Sequence, residues 1–146
     1  MRTHGAVAVI ETPDSFILEG RPNWPGKLAF AGRLGLFGGH VEPGESAPAA
    51  LRRELGQELG LRLTEKPHLL WEGEVDGEDR TGRPSRIKVS LFYLSLDSAD
   101  GLTMQVPGAM IEVPKTLEGI RVYQEQMTPF TSRILREMIA DTVQAA

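Results

Sequence analysis

Apolar positions recur along the chain in two rhythms, and each rhythm predicts a different kind of element. Between residues 47 and 59 they fall four apart, at Leu51, Leu55 and Leu59, the spacing of one buried helical stripe. Ser46 just before that stretch is a good N-cap, Ala47 and Pro48 suit the first turn, and Gly60 is placed to close the helix in a left-handed cap. A second helix is expected from Thr128 to about Val143. Thr128 caps it, Pro129 takes its first position, and Phe130, Ile134, Leu135, Met138 and Ile139 form its apolar stripe.

Elsewhere the rhythm is that of strands. Residues 5–11, GAVAVIE, are small and β-branched and read as a buried first strand. Thr12-Pro13-Asp14 makes a turn, and SFILEGR from Ser15 reads as the hairpin partner. Residues 67–77 and 85–97 read as two long strands. In the second, Ile87, Val89, Leu91 and Tyr93 share a face, with Ser95 at its end, while Phe92 and Leu94 partly cover the other face. LRLTEKP (61–67) reads as a short strand and turn, and AMIEVPK (109–115) as a last short strand, with a helical turn from Pro114 through Leu117. Residues 22–27 and 98–108 are loops, the latter with weak strand character, and 28–37 is irregular or short-strand structure. This order predicts an α/β or α+β domain, a mixed sheet with helices on its faces. No repeat or linker divides the 146 residues, so one domain over 1–146 is expected.

Composition narrows the function classes. A formal net charge of −4 argues against a nucleic-acid backbone as partner. No apolar run approaches the roughly 18–20 residues of a membrane helix, and the apolar N-terminal segment is too short for a secretory signal. The absence of cysteine removes disulfides and thiolate chemistry. A cytoplasmic protein is expected.

The chemistry is concentrated in residues 38–61, GGHVEPGESAPAALRRELGQELGL. Gly38 and Gly39 let the backbone approach a ligand closely, and Pro43-Gly44 marks a tight turn. Glu54 and Glu58 lie four apart and share a helix face, where like charges repel. A solvated face is the plainer account of such a pair; a hard divalent cation, Mg²⁺ or Mn²⁺, would turn the repulsion into chelation. Arg21, at the end of the second strand, is a cation placed to meet a phosphate, or a surface arginine. Trp24 and Phe30 are placed to stack on a nucleobase or to pack their loop onto the core. His40 has no identifiable partner and reads as a structural hydrogen-bonder. Arg80, Arg83 and Arg86 form a basic cluster that is either a solvated hairpin tip or a phosphate contact.

Residues 39–61 resemble the Nudix box, G-x5-E-x7-R-E-U-x-E-E-x-G-U with U a bulky aliphatic. Gly39, Glu45, Arg53, Glu54, Leu55, Glu58, Gly60 and Leu61 match it at the right spacing, and Gln57 replaces the usual glutamate. The resemblance implies the Nudix fold, an α/β/α sandwich around a mixed, curved sheet. It also implies a divalent-metal-dependent hydrolase that cleaves a pyrophosphate linkage in a nucleoside diphosphate joined to another moiety. A catalytically inactive nucleotide-sensing or protein-interaction module is the alternative, because Gln57 is neutral and takes no proton. Under this resemblance Glu54, Glu58, the Gly39 carbonyl and Gln57 hold Mg²⁺ or Mn²⁺, while Glu45 and Arg53 secure the loop and orient the glutamates. Arg21 and Phe30 contact substrate. The base is Glu54 or a carboxylate outside the box: Glu74, Asp76, Glu78 or Glu112. The partner is a small nucleotide-type molecule, no membrane is involved, and a homodimer is compatible.

Overall fold

The computed structural model describes residues 3–24, 27–79 and 81–145. Seven strands and three helices follow in the order β1 (Thr3–Glu11), β2 (Ser15–Gly20), β3 (Leu34–Gly35), β4 (Phe37–His40), α1 (Ala47–Leu59), β5 (His68–Glu78), β6 (Pro84–Ser95), β7 (Ala109–Pro114), α2 (Leu117–Tyr123) and α3 (Pro129–Ala145). The sheet runs β3-β2-β1-β6-β5, with β4 also paired to β1 and β7 to β2. It is mixed: β1 runs parallel to β6 over its whole length, Thr3 opposite Ile87 and Glu11 opposite Ser95, and the other pairings are antiparallel.

Alternation along β1 divides the core in two. Ala6, Ala8 and Ile10 pack with Ile17, Phe37 and Phe92 against Leu51, Leu55 and Leu59 of α1. Val9 turns the other way and joins Phe16, Leu18, Leu91 and Val113 under Ile120 of α2 and Ile134, Leu135 and Ile139 of α3. Period-two strands with small residues on one side thus let a helix sit close on each face. The result is an α/β sandwich. Helix α1 is capped as its sequence implies: Ser46 Oγ accepts the Ala49 N–H at 3.2 Å, and Gly60 closes the end at φ 64°.

Two local expectations differ from the structure. Residues 61–67 form no strand; after the glycine cap the chain runs as an irregular link in which Pro67 is buried. The helical turn expected at Pro114 starts later, because Thr116 Oγ1 accepts the Gly119 N–H at 2.9 Å and so sets Leu117 as the first helical residue. Strand β5 forms where residues 67–77 predict a strand; it lies at the sheet edge, with Leu69, Leu70 and Trp71 exposed. Among the described residues no helix is long and apolar enough to cross a membrane.

What positions the site is a change of partner along one side of β1. It pairs with β2 only at Ile10 and Glu11, and with β4 from Gly5 to Ala8. Beyond Ile17, β2 leaves β1 and continues against β3 and β7. Between the departing β2 and β4 lies a cleft.

Candidate active site

The cleft measures about 760 Å³, and Glu19, Arg21, Phe30, Gly38, Gly39, His40, Glu54, Glu58 and Glu78 are among its lining residues. Its floor is set by the glycine pair. Gly38 sits at φ 137°, and a Cβ there would stand 2.1 Å from the Ala6 carbonyl oxygen, so no other residue fits. Gly39 makes room of a different kind. The space its Cβ would take is filled by the Glu54 carboxylate, whose Oε2 would lie 2.7 Å away. Glu54 therefore rests directly on the glycine loop.

One helical turn on, Glu58 accepts the Gly38 N–H at 3.0 Å. Burial, helped by the like charges of Glu19 and Glu54, pushes its carboxyl up to about 8. The hydrogen bond from Gly38 and the Arg21 charge offset this only in part. Glu19 is 6% exposed, and burial also raises its pKa above the usual carboxylate range, although Arg21 beside it pulls the other way. Three acidic side chains thus act on one another in one partly dry cleft.

Arg53 sits behind them as a hub. Its Nε and Nη2 each donate to a Glu45 carboxylate oxygen at 2.9 Å, its Nη1 donates to Glu54 Oε1 at 2.7 Å, and its Nη2 also reaches the His40 carbonyl at 2.9 Å. These bonds hold Glu45 down to about 2 and keep the guanidinium firmly charged. One planar fork therefore ties loop, helix and Glu54 together.

On the far wall, Arg21 donates through Nε to the Ala29 carbonyl at 2.8 Å and through Nη1 to Glu19 at 3.2 Å. Phe30 adopts φ 51°, and its N–H donates to Glu78 Oε1 at 2.7 Å. Behind Phe30 and Arg21 the cleft adjoins a recess of about 160 Å³ with walls from Val7, Leu36, Ile87 and Phe130.

The other residues singled out in the sequence fall less centrally. Gln57 is exposed and does not line the cleft, so the structure does not bring it to Glu54 and Glu58 as a fourth metal donor. Trp24 is half exposed at the cleft rim. Of the outer carboxylates, Asp76 is paired with Arg86 at 2.8 Å, and Glu112 lies on β7 away from the cleft. Arg80 lies outside the described residues, so the basic cluster is seen only through Arg83 and Arg86.

Glu19 was missed in the sequence. Its signal was there: a charge at an inward position of a strand, SFILEG, whose other side chains are apolar or small.

Oxygen donors with surplus negative charge in a partly dry cleft suit a hard divalent ion. Among the described residues, no group of three or more His, Asp or Glu side chains is close enough to hold one unaided. Backbone, water or substrate oxygens would have to complete the shell around the carboxylates.

The NUDIX domain family model matches residues 1–135. Over 69 residues the chain is 38% identical to the nucleoside triphosphatase NudI of Escherichia coli O17:K52:H18, covering 47% of this chain and 49% of NudI, about half the length of that curated relative. The MutT protein of Methanosarcina mazei Go1 superposes with TM-score 0.69 at 22% identity, over 97% of this chain and 94% of its own. A bifunctional NMN adenylyltransferase/ADP-ribose pyrophosphatase of Francisella tularensis, complexed with AMP and a Mn ion, gives TM-score 0.69 at 19% identity, over 97% of this chain and 42% of its own. At those identities the two structures show a shared fold.

Proposed function

The chain belongs to the NUDIX domain family, and from that premise we propose that it is a divalent-metal-dependent hydrolase of a pyrophosphate linkage. Its substrate class is a nucleoside diphosphate joined to another moiety, as in nucleoside triphosphates or nucleotide sugars. The observation that carries this reading is the convergence of Glu54, Glu58 and the Gly38–Gly39 loop in one cleft.

In this proposal Glu54, Glu58 and the Gly39 carbonyl hold Mg²⁺ or Mn²⁺. Such an ion, when bound, neutralises charge building on phosphate oxygens and makes a bound water more acidic. The chain's own residues do the rest by positioning, which is most of what phosphoryl transfer needs. Arg53 fixes the Glu54 carboxylate against Gly39 and, with Glu45, keeps the loop on the helix. Arg21, with part of its fork uncommitted, meets the phosphate chain. Phe30 and the apolar recess beside it seat the base. The proton of the attacking water passes to Glu54 or to Glu78 within the same cleft. The proposal extends to a single-domain cytoplasmic protein, as monomer or homodimer.

One observation favours the alternative of an inactive nucleotide-binding module: Gln57 stands where the box carries a glutamate. A panel of nucleoside triphosphates, nucleotide sugars, dinucleotides and dinucleoside polyphosphates, assayed for phosphate or nucleoside monophosphate release with and without Mg²⁺ or Mn²⁺, separates the two. Metal-dependent cleavage of at least one is expected. Metal-dependent binding with no cleavage of any would establish the module instead.

A further inference from the structure

One peptide unit in the cleft wall is held from both ends by charged side chains. The Ala29 carbonyl accepts from Arg21 Nε at 2.8 Å, and the Phe30 N–H across the same peptide bond donates to Glu78 Oε1 at 2.7 Å. The cation meets the negative end of the peptide dipole and the anion its positive end, so both favour one orientation of the unit. Arg21 follows β2 and Glu78 ends β5, so the grip comes from two separate strands. It coincides with strain. Phe30, at φ 51°, is the one non-glycine residue with a positive φ among the described residues. A residue with a bulky side chain holds that conformation only where its surroundings impose it.

The ring so placed borders both the cleft and the apolar recess. Gly77, just before Glu78, keeps β5 bare beside it: a Cβ there would stand 3.8 Å from Phe30 Cε2. Among the described residues the Glu78 carboxylate accepts no other hydrogen bond and forms no ion pair. We propose that Glu78 is a positioning residue for nucleobase recognition, acting through Phe30 to fix the ring over the recess rather than taking a proton from the attacking water. This rests on the nucleotide reading above and narrows it, leaving Glu54 as the proton acceptor. Arg21 shares the grip but is also placed on the phosphate chain, so Glu78 is the member of the pair that separates base recognition from phosphate binding.

The test is calorimetric titration, with Mg²⁺ present, of the α,β-methylene analogues of adenosine, cytidine, guanosine and uridine diphosphate, and of methylenediphosphonate, which carries no nucleoside. Wild type is compared with Glu78→Ala, Glu78→Gln, Phe30→Ala and the double variant Glu78→Ala/Phe30→Ala. Glu78→Ala is expected to weaken the tightest nucleoside analogue about tenfold while methylenediphosphonate stays within about twofold. Glutamine keeps an acceptor for the Phe30 N–H, so Glu78→Gln should recover affinity to within about threefold of wild type. Because one residue acts through the other, the double variant should bind no more than about twofold more weakly than Phe30→Ala alone. Equal losses for the nucleoside analogue and methylenediphosphonate overturn the proposal, as do additive losses in the double variant or a Glu78→Gln as weak as Glu78→Ala. A fall in kcat of about a hundredfold in Glu78→Gln, with affinity kept, makes Glu78 the proton acceptor and overturns it too. Each of these results leaves the nucleotide reading standing, because wild type still binds. Wild type that binds none of the nucleoside analogues overturns that reading and the proposal together.

Discussion

Arg53 concentrates the site's geometry in one side chain. Its fork meets Glu45 twice, Glu54 once and the His40 carbonyl once, so the loop before α1 and a cleft carboxylate share one anchor. A lysine keeps the charge but offers three donors from a single nitrogen and cannot reproduce the planar grip. Arg53→Lys is therefore expected to lower kcat about ten- to a hundredfold while KM stays within about threefold, since the defect lies in carboxylate placement. Steady-state kinetics on the best substrate checks this, and a rise in KM alone would mean that Arg53 touches substrate. At this scale the sequence was readable wherever a motif fixes spacing: Glu45, Arg53, Glu54 and Glu58 stand out from a pattern of residue types. Glu19 did not, because a single charge in a strand acquires meaning only when the cleft it faces is known.

Among the elements, β4 and α1 form one unit. Gly38 lies so close to β1 that a Cβ would stand 2.1 Å from the Ala6 carbonyl oxygen and 2.7 Å from the Val7 Cα, and its N–H also holds Glu58. Gly38→Ala is expected to destabilise the fold by at least about 3 kcal/mol. Gly44 is the natural comparison: its φ is also positive, at 79°, but nothing lies within 4 Å of the point where a Cβ would stand. Gly44→Ala should cost only about 1 kcal/mol of backbone strain. Urea unfolding of the two variants makes the comparison, and equal losses would show that close approach is not what demands Gly38. Helix α1 was legible because its stripe, cap and terminating glycine are local signals. Residues 61–67 were not, because nothing in that short run separates a strand from an irregular link; β5 was readable as a strand, but its Leu69-Leu70-Trp71 run does not say which strand lies beside it, and at the sheet edge it stays exposed.

Across the whole molecule, the parallel pairing of β1 with β6 joins segments more than eighty residues apart, and no pattern within either strand announces it. The layered α/β order was readable; the fork in β1's partners that opens the cleft was not. That fork brings Glu19 to the acidic face of α1, and the cleft's charge becomes a property of overall stability. Glu58 is pushed up to about 8 from an unfolded value of about 4.5, so between those limits the folded state binds more protons and stability falls as pH rises. Glu19 acts in the same direction. His4, whose pKa is lowered by burial and by Lys88, opposes them around pH 6.5, Glu45 is fully ionised above about pH 4, and Tyr93 is raised beyond 10. The interval from pH 7 to 9 therefore isolates the cleft carboxylates.

Thermal unfolding across that interval, with and without Mg²⁺, tests the central claim that these carboxylates form a cation site. Without metal, Tm is expected to fall from pH 7 to 9 by a few degrees, corresponding to about 1 kcal/mol. With saturating Mg²⁺ the fall should shrink or reverse, because the ion binds the deprotonated cleft and stabilises the state that holds it. A Tm that does not change with pH in the metal-free protein, and does not rise with Mg²⁺ at pH 9, would contradict the account.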